Sequence, residues 1–136
     1  MSNAGARPYI VRPGEGWMVN FMGGDFTVKV GEERHGRRVA VTEYAARQGE
    51  EPPDHIHSTE DEIFYVLEGA LSFRCDGEEF DANAGALVFL PRGLEHGYTI
   101  RSDGEVRLLV ITAPAPTDGT AGWGGFFGSV ESRSSH

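Results

Sequence analysis

The segment from Gly49 to Gly69, GEEPPDHIHSTEDEIFYVLEG, leaves this chain few folds to choose from. Pro52-Pro53 stops any helix there, because proline lacks the backbone N–H and its ring clashes with the preceding turn. His55 and His57 stand two apart, the spacing that puts both side chains on one face of an extended strand and aims Ile56 away. The polar run Ser58-Thr59-Glu60-Asp61 is long enough to turn the chain, and Ile63-Phe64-Tyr65-Val66-Leu67 reads as a second strand closed by Gly69. A hairpin of this kind brings Glu62 back beside the two histidines. Two imidazoles and a carboxylate suit Fe(II), Mn(II), Ni(II) or Zn(II). A fourth candidate ligand, His96, lies in GALVFLPRGLEHGY.

The rest of the chain is punctuated in the same way. Strands are expected over Trp17 to Phe21, Phe26 to Val30, Val39 to Ala46, Ala70 to Cys75, Glu78 to Asp81, Leu87 to Leu90 and Val106 to Thr112. In the third of these, Val39, Val41, Glu43 and Ala45 share one face. Asp76-Gly77 signals a tight hairpin, and Arg101 to Glu105 reads as another hairpin loop. His96 and Tyr98 share a strand face by the same two-residue rule. Phe64, Val66, Phe73, Phe89 and Tyr98 are candidates for the interior. His35 sits in a polar loop, and the tail from Ser132 is expected to be mobile. No segment holds a helical period, and 19 glycines in 136 residues favour many short strands. The pattern predicts an all-β sandwich or barrel. Its organisation is an N-terminal arm over residues 1–16, a barrel domain over 17–113 and a loose C-terminal segment over 114–136.

Charge and length narrow the function. A net charge of −9 and a pI of about 4.9 argue against a nucleic-acid binder that tracks phosphates and against an anionic membrane partner. No apolar run is long enough to span a bilayer. The N-terminus MSNAGARPY shows no basic stretch ahead of an apolar core, so no signal peptide is expected. Cys75 is the single cysteine, which excludes an intrachain disulfide framework and points to a reducing, cytoplasmic setting.

Two motifs then resemble the cupin superfamily. Gly49, His55, His57, Glu62 and Gly69 fit its first motif, G-x5-H-x-H-x3,4-E-x6-G. Gly85, Pro91, Gly93 and His96 fit its second, G-x5-P-x-G-x2-H-x3-N, with Ile100 in place of the final asparagine. That asparagine is not a metal ligand in the family, so the ligand set stays complete. Within the superfamily the PGEG-W start, the EDEIFYVLEG core and the PRGLEHGY segment resemble small single-domain cupins of the quercetin dioxygenase-like subgroup.

The resemblance implies a cupin jelly-roll β-barrel. It implies one divalent transition metal (Fe, Mn, Ni, Co or Zn) held by His55, His57, Glu62 and His96. It also implies a homodimer, with the arm around Tyr9 to Val11 available to cover an open sheet edge. Glu60 and Asp61 fall between ligands and are read as solvent-facing, with a carboxylate bonded to a histidine N–H as the alternative. Arg92 is read as exposed. The function expected is a dioxygenase acting on a small apolar aromatic or enolic molecule, with Glu62 taking a proton and Tyr98 orienting the bound species. The alternatives are a non-redox isomerase, cyclase or lyase on the same site, and a small-molecule binding or sensing module.

Overall fold

The computed structural model describes residues 7–31 and 39–114. His35 and the segment beyond Pro114 lie outside those residues. Nine antiparallel strands follow one another: β1 Trp17–Phe21, β2 Gly24–Val30, β3 Ala40–Ala46, β4 Asp61–Glu68, β5 Ala70–Cys75, β6 Glu78–Asn83, β7 Leu87–Leu90, β8 His96–Ile100 and β9 Val106–Ala113. No helix occurs among the described residues, and so none there is long and apolar enough to cross a membrane. Six strands form one sheet in the order β1-β2-β3-β9-β4-β7, and three form the other in the order β6-β5-β8. The two sheets build an all-β jelly-roll barrel.

The local sequence explains the turns. Asp76 and Gly77 both take positive φ, 52° and 80°, and Cys75 pairs with Glu78 across them. This two-residue loop has the backbone twist that a right-handed hairpin needs. Met22 and Gly23 do the same between β1 and β2, at φ 54° and 89°. The segment 101–105 is not a hairpin loop: it carries the chain from β8 in the small sheet to β9 in the large one. Sequence pattern marks a turn there but not which sheet the next strand joins.

Alternation fixes what faces inward. Ala40, Thr42, Tyr44 and Ala46 of β3 are buried, so Val41, Glu43 and Ala45 form its outer face. Val106, Leu108, Val110 and Thr112 of β9 point inward beside them. Phe64, Val66, Phe73 and Tyr98 are interior as expected, but Phe89 is not; it is 53% exposed, and Val88 and Leu90 take the inner positions of β7. The run Leu87-Val88-Phe89-Leu90 is apolar on both faces, so its pattern could not choose between them. The interior aromatics stack against one another: the Phe64, Phe73 and Tyr98 rings lie 5.3–5.9 Å apart, and Tyr44 packs edge-on to Tyr98 at 6.2 Å. These separations are those of favourable edge-to-face pairs. They form an apolar floor beneath His96, which opens the same strand as Tyr98.

Candidate metal centre

His55 and His57 do not lie on a hairpin partner of β4. His55 instead forms an isolated antiparallel bridge with His96: its N–H donates to the His96 carbonyl at 3.0 Å, and the His96 N–H donates back at 2.9 Å. The His57 carbonyl accepts from the Gly93 N–H at 2.8 Å, tying the loop to the turn before β8. Glu62 is the second residue of β4, cross-strand from Thr112 of β9 and Leu90 of β7. Expecting a hairpin was therefore wrong about the partner, because β4 pairs with β7 and β9. The two-residue spacing still acts as read: Ile56 is 45% exposed, whereas His57 is buried.

Three backbone segments thus bring His55, His57, Glu62 and His96 together, with one donor atom from each lying within 4.8 Å of all the others. His96 Nε2 is 2.9 Å from Glu62 Oε1, and His57 Nε2 is 3.5 Å from the same oxygen. The first is a close approach rather than an aligned hydrogen bond: Glu62 Oε1 and both His96 ring nitrogens are buried without a hydrogen-bond partner. Leaving buried polar atoms in this state costs stability. A cation between Glu62 Oε1 and His96 Nε2 would remove the cost at those two atoms, since ligand atoms about 2.1 Å from one ion sit roughly 3 Å apart. The donor set and its spacing fit a first-row divalent metal.

The outward nitrogens of His55 and His57 are already occupied. His55 Nδ1 lies 2.8 Å from the Pro53 carbonyl, which selects the tautomer with its proton on Nδ1. His57 Nδ1 lies 3.2 Å from Glu60 Oε1, and the Thr59 hydroxyl donates to the same carboxylate. Each contact leaves Nε2 for the centre, as in carboxylate–histidine–metal arrangements. Glu60 is accordingly buried, not solvent-facing. It sits three residues past His57, where a tight turn brings its side chain back to the ring. Asp61 does face outward, accepting from the Arg92 backbone N–H at 2.9 Å and pairing with its exposed guanidinium at 3.0 Å.

Electrostatics suit the same role. Burial pushes His55 down from 6.5 to about 4, against the pull of the Pro53 carbonyl, so its ring is neutral at pH 7. Burial would raise the Glu62 carboxyl, but contact with His96 and the nearby rings of His57 and His55 holds it below its ordinary value. Tyr98 is raised well above the usual phenol, first by burial and then by Tyr44. Its hydroxyl donates to Tyr44, which burial lifts to about 12 and which in turn donates to the Glu50 carbonyl at 3.5 Å. Tyr98 therefore stays protonated.

Three residues escaped the sequence reading. Tyr44 orients Tyr98 from another strand. Thr112, inward and fully buried, stands cross-strand from Glu62. Cys75, also inward, stands cross-strand from His96. Each is a matter of register between distant strands, and no local motif carries that information.

Comparison with known proteins agrees with this geometry. A cupin domain family matches residues 42–112, which contain all four candidate ligands. The chain belongs to the cupin family. This cupin is 29% identical to quercetin 2,3-dioxygenase of Bacillus subtilis over 72% of its own length and 29% of that protein's. It is 32% identical to polyketide synthase CurC of Streptomyces cyaneus over 50% of its length and 44% of the relative. The cupin thus spans under half the length of these curated relatives. Among solved structures it resembles KdgF from Halomonas sp., with a TM-score of 0.70 at 18% identity over 83% of this chain and 98% of that one. It resembles an RmlC-like cupin from Shewanella frigidimarina equally well, with a TM-score of 0.70 at 18% identity over 85% and 99%. These last two likenesses speak for the fold.

Proposed function

We propose that this cupin is a metal-dependent dioxygenase of a small, largely apolar, aromatic or enolic molecule. The observation that carries the reading is the convergence of three imidazoles and one carboxylate in a buried centre floored by Phe64, Phe73 and Tyr98. His55, His57, Glu62 and His96 would hold the ion. A bound redox metal supplies electron transfer between an organic substrate and O2. The chain's own residues do the rest. The aromatic floor selects a flat apolar ligand and excludes water. Glu62, held ionised, accepts the proton of an enolic hydroxyl. Tyr98, held protonated, orients the substrate oxygen when its hydroxyl turns from Tyr44 toward the centre. The likeness to a quercetin dioxygenase supports the substrate class.

The likeness to polyketide synthase CurC, a name that specifies no oxygenation, supports a second reading, a non-redox isomerase, cyclase or lyase on the same centre. The third is a binding or sensing module. Turnover of flavonols and small diketones, with Fe, Mn, Ni or Co restored in turn, decides between them. Product formed in air but not under nitrogen is the expected result. Equal turnover under nitrogen would transfer the proposal to the non-redox enzyme, and tight binding without turnover to the module. Tyr98→Phe is expected to slow turnover at least tenfold while metal content stays at the wild-type level. Glu62→Ala should lower both.

A further inference from the structure

The backbone bridge between His55 and His96 is a single isolated pair. Next to it the Asp54 side chain packs against Gly97, which stands opposite Arg74 of β5. On the outer face of the small sheet, the Asp54 carboxylate lies across Gly97 and reaches Arg74 two strands away. Arg74 Nη2 donates to Asp54 Oδ1 at 2.8 Å, and Nε approaches Oδ2 at 3.4 Å, a two-pronged fork. The third nitrogen, Nη1, donates to Thr99 Oγ1 at 2.7 Å, which fixes the guanidinium plane. The arrangement needs glycine at position 97. A Cβ there would fall far inside van der Waals contact with Asp54 Oδ1, 2.5 Å from its Cγ and 3.0 Å from Arg74 Nη2.

From this geometry we infer that Asp54, Arg74 and Gly97 form a clasp that positions His55 opposite His96. These are positioning residues, since they act through the two histidines from the far side of the sheet. The same loop is tied on either side of the bridge, where the Ile100 N–H donates to Glu51 Oε2 at 2.9 Å and the Gly93 N–H donates to the His57 carbonyl at 2.8 Å, so an unclasped loop loosens the pairing of His55 with His96 between those two ties. Half-exposed ion pairs contribute little to global stability. The clasp therefore acts on local order, and its loss shows where the two segments meet.

The test is amide hydrogen exchange at His55 and His96 in the metal-free protein, because those two N–H groups make the bridge. Arg74→Met and Gly97→Ala, the latter keeping both charges, are expected to speed exchange at both amides at least tenfold. The melting temperature and the exchange of the β3–β9 amides should stay unchanged. Arg74→Lys should restore part of the protection, and Arg107→Met, which removes another surface arginine paired with Glu43, should alter neither amide. Unchanged exchange at His55 and His96 in both clasp variants overturns the inference.

The second readout rests on the proposed metal centre. Co(II) titrated into the same variants is expected to bind about 10- to 100-fold more weakly, with an altered visible spectrum. If wild-type protein takes up no Co(II), Mn(II), Fe(II) or Ni(II), the metal reading fails while the exchange result still decides the clasp. If wild type binds metal and the variants match it in affinity and spectrum, the clasp is overturned as a determinant of the centre.

Discussion

Thr112 has a hydroxyl that the fold does not use. It is fully buried, it faces Glu62 from the next strand, and its Oγ1 has no hydrogen-bond partner, as is also true of Thr42. Leaving such a group unpaired costs about 1–3 kcal/mol, and replacing it with a methyl of similar shape removes the cost. Thr112→Val is therefore expected to raise the melting temperature of the metal-free protein. A fall in a calorimetric scan would mean that the hydroxyl has a partner in solution. His55 gives a second prediction at this scale. Its folded value of about 4 lies below the ordinary 6.5, so between those pH values the unfolded chain binds more protons. Stability of the metal-free protein should rise with pH across that window, by at most about 3 kcal/mol, and should be lost as pH falls through 4. The lowered Glu62 carboxyl acts in the same direction at the acid end. Urea midpoints measured from pH 4 to pH 7 check this; a flat series would place His55 in contact with solvent. His55, His57 and Glu62 are legible because their spacing is short-range, and His96 because it sits in the second cupin-like motif. Glu60 was misread because a buried carboxylate is the rarer outcome for a polar turn, and only the closing of that turn onto His57 reveals it.

At the scale of elements, local chemistry was legible and pairing was not. Asp76-Gly77 names its own hairpin, since positive φ is required at both positions and those residue types supply it. Gly77→Val puts a β-branched residue at φ 80° with open space around it, so the cost is backbone strain alone, about 1–2 kcal/mol. A two-state urea titration should show the midpoint fall with an unchanged slope. Period-two alternation located β3 and β9, but it says only which residues share a face. Whether Val41 or Thr42 is inward depends on the sheet opposite. β3 hides the polar Thr42 and presents Val41 outward, the reverse of what hydrophobicity favours, because its inner face also carries Tyr44 and Ala46. The same ambiguity leaves the side of Phe89 open, and only the pairing of distant strands decides that 101–105 links two sheets instead of closing a hairpin. Strand order depends on contacts far apart in the sequence, and no short segment encodes them.

The outer surface of the large sheet carries the last prediction. Val41, Ile111, Ile63 and Phe89 are in register across β3, β9, β4 and β7, and all point outward. The next outward row is Glu43, Leu109, Tyr65 and Leu87. Seven of these eight side chains are apolar, and Leu87 and Phe89 at the sheet edge are 62% and 53% exposed. A contiguous apolar face of this kind on an acidic chain marks an interaction surface rather than a solvated one. β7 is also an edge strand, with backbone groups free to pair. We propose that a second copy of the chain covers this face, giving a homodimer. The arm around Tyr9 to Val11 was the sequence-based candidate for the contact. Tyr9 and Ile10 of the arm are exposed, as are Trp17 and Met18 of β1, the opposite edge strand. The two surfaces make different predictions. If the outer face is the contact, Leu87→Lys with Phe89→Lys yields a monomer by light scattering at micromolar concentration, and deletion of residues 1–11 leaves the dimer intact. If the arm is the contact, the two results exchange places. Neither change touches His55, His57, Glu62 or His96, so metal affinity should persist in the monomer. A monomeric mass for the unaltered chain would remove the homodimer proposal and leave the apolar face to a different partner.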